Sequence, residues 1–141
     1  MERSSFPWQR RELKYQLLRE RGEITKFGFR PICPICRKAI TPWDGIDMHE
    51  VLITRGDARG LSDDFYSIIF VAQNCVLVHH NKCHKKATSK TGKRACIENL
   101  LAYEGFDLIY GWLSLMETEM NSPEATKEKL LLEEIYNDYV R

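Results

Sequence analysis

The stretch Asn74-Cys75-Val76-Leu77-Val78-His79-His80-Asn81-Lys82-Cys83-His84 decides how this chain folds. Its apolar, β-branched run at 75–78 reads as a strand, and Lys82 to Ala87 reads as a helix leaving the Cys-His pair directly. Upstream, Cys33-Pro34-Ile35-Cys36 reads as a turn stiffened by Pro31 and Pro34, which aims two thiols at one point. Between them stands Asp47-Met48-His49-Glu50. All four histidines and four of the five cysteines fall between Cys33 and His84. Soft and borderline donors at these spacings suit one metal that holds the fold and a second that does chemistry.

A structural zinc takes four ligands in a tetrahedron, usually from two short knuckles. Cys33 and Cys36 make the first, and the second ends at Cys83. Two-residue spacing selects His80 as its partner, whereas His79 serves if one extra residue is tolerated; the remaining histidine then faces solvent or phosphate. A CxxC alone is equally a redox pair or two buried thiols, but a second Cys/His pair far along the chain argues against that. Nothing shows the βαβ pattern of a thioredoxin-like oxidoreductase. Cys75 and Cys96 have no partner at ligand spacing and read as buried thiols.

With 141 residues the chain is expected to form one domain with helical extensions. Its net charge of +1 conceals an asymmetry: residues 1–38 hold ten Lys/Arg against four acids, 79–96 hold six against none, and 97–141 hold three against ten. A basic front and middle beside a metal motif suggest an anionic partner, nucleic acid first. No secretory signal or membrane-length apolar run is evident, and the cysteines suit ligands better than disulfides, so a reducing, cytoplasmic setting is expected.

Residues 7–21 read as a helix, with Pro7 in its first turn, Leu13 and Leu17 four apart, and Gly22 as the stop. Its face with Arg10, Arg11, Lys14, Arg19 and Arg21 suits DNA phosphates or plain solvent equally. A strand is expected at 46–53, strands or extended segments at 67–72 and 75–78, a polar loop at 54–64, and a basic link containing Gly92 at Lys90 to Arg94. Helices follow at 95–104 and 107–120, broken by Gly105. A last helix is capped by Ser122-Pro123 and carries the apolar rows Leu131, Ile135, Tyr139 and Leu132, Tyr136, Val140.

Taken in order, CPIC, a histidine ending a strand, Asn-x-Val-Leu-Val and a Cys-His opening a helix make residues 31–90 resemble an HNH endonuclease, of the zinc-stapled type common in phages and prophages. The resemblance implies an α+β fold: a small ββα-metal (HNH, His-Me finger) core with a structural zinc, flanked by N- and C-terminal helices. The implied divisions are a basic helix and lead-in at 1–30, the nuclease domain at 31–90 and a helical extension at 91–141. The implied activity is hydrolysis of DNA phosphodiester bonds, by nicking or double-strand cutting, with a catalytic Mg2+, Mn2+ or Ni2+ ion.

In that family a histidine ending the first strand is the general base, the residue before it binds the ion, an asparagine orients the base through a backbone contact, and a last histidine binds the ion. Asn74 matches the asparagine and His84 the last histidine. The first element departs from the pattern. In one alignment His49 is the base, and Asp47 reaches the ion past Met48. In the other His49 is the ligand and Glu50 the base. The second is preferred because it keeps a ligand beside the base, although a carboxylate is a weaker base than imidazole near neutral pH. Lys82, Lys85, Lys86, Lys90, Lys93 and Arg94 are expected along the DNA backbone, and Arg55 and Arg59 suit a phosphate beside the metal or plain loop surface equally. The alternative is a non-catalytic zinc-binding adaptor for nucleic acid or protein on the same scaffold. The acidic C-terminal helices suit packing, a second copy of the chain or a protein partner.

Overall fold

The computed structural model describes residues 5–58 and 65–140. It is a mixed α+β fold with two small antiparallel sheets. Helix α1 (Ser5–Arg21) buries Leu13 and Leu17, one turn apart, and then the Arg21 side chain one turn further on. That arginine donates to the carbonyls of Cys75 at 2.7 Å and Ala72 at 2.9 Å, and pairs with Glu104 at 2.9 Å. Its planar fork thus satisfies main-chain acceptors and ties the first helix to segments more than fifty residues away.

Strands β1 (Gly22–Thr25) and β2 (Gly28–Pro31) form a hairpin that the sequence reading did not anticipate. Each is four residues long, too short for a clear alternation. Strand β3 (Ile46–Glu50) pairs antiparallel with β4 (Cys75–His79), setting Ile46 opposite His79 and His49 opposite Val76. Helix α4 (Lys82–Ala87) follows at once and packs on both strands.

β3 stops at Glu50 rather than running to residue 53, because Asn74 takes over the backbone beyond it. The fully buried Asn74 amide oxygen accepts from Leu52 and Ile53 N–H at 2.9 and 3.0 Å. Its nitrogen donates to the carbonyls of Ile53 (2.8 Å) and Ile69 (3.0 Å). The segment 67–72, expected as a strand or extended, starts inside a short helix, α3 (Phe65–Ile69), and is extended at Val71; α2 (Arg55–Ala58) precedes it in the expected polar loop. Ile69 at the end of α3 and Phe70 just past it are both buried.

Helix α5 (Lys90–Glu104) begins where a basic link was expected. Ser89 Oγ caps it by accepting from Gly92 N–H at 3.1 Å. Gly92 is not a breaker here: a Cβ at that position would stand 1.9 Å from the Lys86 carbonyl, so glycine lets α5 start hard against α4. Gly105, at φ +86°, separates α5 from α6 (Phe106–Glu119), and Ser122 caps α7 (Pro123–Tyr139). A single core runs from Leu13 through Val76, Ile97 and Leu113 to Ile135, so the three sequence divisions share one hydrophobic interior. On α7, Leu132 and Ile135 bury while Tyr139 and Val140 stay exposed. Among the described residues no helix is long and apolar enough to cross a membrane.

Candidate metal centre and adjoining cleft

Cys33, Cys36, His79 and Cys83 offer four donor atoms that all lie within 4.8 Å of one another. The knuckle turn is built by Cys33 carbonyl accepting from Arg37 N–H at 2.8 Å, with Arg37 at φ +63° to close it. His79 Nδ1 lies 3.3 Å from Cys36 Sγ and 3.9 Å from Cys83 Sγ. Ordinary zinc–sulfur and zinc–nitrogen lengths predict a tetrahedral edge of about 3.6 Å, between those two values. The set fits a structural metal such as zinc.

The fourth donor is His79 and not the His80 that spacing selected. Neighbouring residues on a strand point to opposite faces, so only one of the two can join the thiols. His79 ends β4 on the thiol side, and the exposed His80 turns its Nδ1 to the Asp47 carboxylate at 3.0 Å. A residue that sequence reading missed completes the centre from behind: Asp44 Oδ2 lies 3.3 Å from His79 Nε2. Asp44 is itself held by the Thr41 hydroxyl at 2.9 Å. A carboxylate on the outer nitrogen fixes the ring's tautomer and orientation for a metal on the inner one. The Thr41-Pro42-Trp43-Asp44 turn just before β3 was the available signal.

The thiols disagree about charge. Burial would raise Cys33, but N–H groups of Cys36 and His79 bring it from 9.0 down to about 7. Burial, and then the negative charge of Cys33 beside it, pushes Cys83 up to about 12. Three thiolates cannot share this space alone, and a divalent cation resolves the conflict. Cys75 and Cys96 are buried thiols outside the set, and burial pushes Cys96 up to about 12.

On the opposite face of β3, Asp47 and His49 point the same way, and His84 comes up to them from α4. Asp47 Oδ2 lies 2.8 Å from His84 Nδ1, and the His49 and His84 rings meet edge to face at 5.1 Å. Burial opposes the ionisation of Asp47, but the His84 and His80 rings hold it below the usual carboxylate range. Burial, then His84 and Lys93, lowers His49 from 6.5 to about 4, so its ring is uncharged at neutral pH. Among the described residues, the Cys3His set is the one group of three or more such donors drawn this tightly together.

These residues floor a cleft of about 480 Å³. Its walls carry Arg10, Arg11 and Lys14 from α1, and Arg55 from α2. Glu50 lines the same cleft and pairs with Arg55 Nε at 3.4 Å. Asn74 anchors the loop after β3 and touches neither His49 nor Glu50 through its side-chain hydrogen bonds.

The basic residues divide. Lys82, Lys85, Lys86 and Lys90 are exposed along α4 and the start of α5. Lys93 and Arg94, expected to lie along DNA, are instead committed to the acidic C-terminal helix. Lys93 pairs with Glu128 at 2.7 Å, and Arg94 pairs with Asp138 at 3.1 Å and Glu98 at 3.5 Å. Arg59 lies outside the described residues. Set beside protein-family models, curated proteins and solved structures, the chain matches none of them.

Proposed function

We propose that this chain is a metal-dependent HNH endonuclease that hydrolyses DNA phosphodiester bonds, with β3, β4 and α4 as its ββα-metal core. The observation that carries this reading is the 2.8 Å contact between Asp47 and His84 beside His49, at the base of a cleft walled by arginines. Two oxygen or nitrogen donors on adjacent positions of an octahedral ion stand about 3.0 Å apart, so this pair suits the catalytic cation. A divalent ion held there supplies positive charge to the phosphate and to the leaving oxygen.

The chain's own residues do the rest. The uncharged His49 ring accepts the proton of the attacking water. Glu50 is engaged by Arg55, which favours the alignment with His49 as base and Asp47 as ligand over the one preferred from sequence. Asn74 keeps the loop after the base in place, and the Cys3His centre, with zinc, staples the knuckle to α4. A second reading, a zinc-bearing DNA-binding adaptor, is favoured by one observation: the Cys3His set is complete in itself, whereas Asp47, His49 and His84 do not close into so tight a group.

Zinc-loaded protein incubated with supercoiled plasmid, with and without added magnesium, manganese or nickel, tests both. Ion-dependent nicking is expected, lost in His84→Ala while zinc content and circular dichroism stay unchanged. His49→Ala should slow it by on the order of 10²–10⁴, the usual worth of a general base. Glu50→Gln should slow it far less; the reverse ranking would return the base role to Glu50. DNA retention without nicking under any ion makes the adaptor reading the better one.

A further inference from the structure

The N-terminal helix lies outside the residues that resemble a nuclease, yet it forms one wall of the cleft. Its placement is fixed three ways: Leu13 and Leu17 enter the core, Arg21 binds the β4 backbone, and Lys14 Nζ donates to the Ile46 carbonyl of β3 at 2.6 Å. Arg10 stands one turn before Lys14 on the same side of the helix. Its guanidinium lies over the Phe70 ring at 5.6 Å, and that of Arg55 lies over the same ring at 5.8 Å. Phe70 is itself buried, so it is a fixed platform for two cations that would otherwise repel. Stacking engages the face of the Arg10 guanidinium, whereas phosphate is recognised by a guanidinium's edge; the edge of Arg55 already meets Glu50. Past the Asp47–His84 pair a second depression opens, of about 400 Å³, with Lys85 on its rim. Both depressions share Asp47 and His84, so a strand can cross the pair with cations at either end.

We infer that α1 is half of the substrate-binding surface: Arg10 and Arg11 bind backbone phosphates on one side of the bond over Asp47 and His84, and Lys85 binds on the other. The identity of the polyanion as DNA rests on the nuclease reading.

The test is binding of a fluorescent DNA duplex to zinc-loaded protein without added catalytic ion, measured by anisotropy across a salt series. The Arg10→Ala/Arg11→Ala double variant should bind at least tenfold more weakly, and its log–log salt slope should fall by roughly one for each phosphate it no longer neutralises. Arg19→Ala, an exposed cation of the same helix away from the cleft, should leave both unchanged. Thermal melting checks that the exposed substitutions leave the fold intact. Wild-type affinity and slope in the double variant overturn the inference, even if plasmid nicking establishes the nuclease. Loss of binding in the double variant alone upholds it, even if no nicking is ever seen. Equal losses in Arg19→Ala, or a wild type that does not bind DNA, overturn it as well.

Discussion

The knuckle centre and the cleft draw on consecutive residues of α4, Cys83 and His84, yet they are opposites. The Cys3His set is enclosed, donor-complete and backed by Asp44. The Asp47–His84 pair is open to solvent, short of donors and ringed by cations. Closed tetrahedra of thiolate and imidazole hold folds, whereas sites that keep positions open do chemistry. Closure, more than the kind of side chain, therefore separates the two places here, since histidine stands in both.

The contrast breaks most sharply at Cys36. Cys36→Ser should abolish stoichiometric zinc binding and the cooperative thermal transition, since structural zinc contributes folding free energy of about 10 kcal/mol or more in small domains. Metal analysis and a melting curve read both, and a variant that melts like the wild type without zinc ends the contrast. Asp44→Asn is milder. It keeps the fold at saturating zinc but should weaken zinc affinity by about 10–100-fold, the usual worth of an outer carboxylate, in competition with a chromophoric chelator. An unchanged affinity would remove Asp44 from the centre.

The smallest effect concerns acid. His49 has a folded pKa of about 4, below its ordinary 6.5, so the unfolded chain binds the extra proton. The stability this gives is complete above pH 6.5 and is lost as pH falls towards 4. Zinc release also grows as the thiols protonate, but it is common to wild type and variant. His49→Gln should therefore show a shallower loss of melting temperature across that window than wild type. Parallel curves would show that the His49 ring is not held neutral by the fold.

Much of the first centre was legible because a CxxC turn is local chemistry: two prolines and two thiols specify their geometry without help from the rest of the chain. The choice between His79 and His80 was not, since it depends on strand parity, which is set by the pairing of Ile46 with His79. The helices at 82–87 and after Ser122 were legible through their neighbours and caps. The helical start of 67–72 was not legible because Ile69 buries as well from a helix as from a strand, and there its carbonyl accepts from Asn74. Lys90 to Arg94 reads as a link because sequence cannot show that Gly92 lets another helix's carbonyl come so close. Lys93 and Arg94 were counted with the DNA-facing lysines because nothing local reveals that the acidic helix α7 returns to neutralise them.

His79 and His80 are consecutive residues sent to different centres, and so are Cys83 and His84. The three residues between His79 and Cys83 are therefore a fixed gauge. Removing one would turn His84 towards the thiols, and adding one would carry Cys83 towards the cleft, so either change spoils both places in one event. Substitutions at exposed Lys82 should pass almost unnoticed, but changes of length in this short span should not, and alleles of this chain are expected to vary there in letters and never in number.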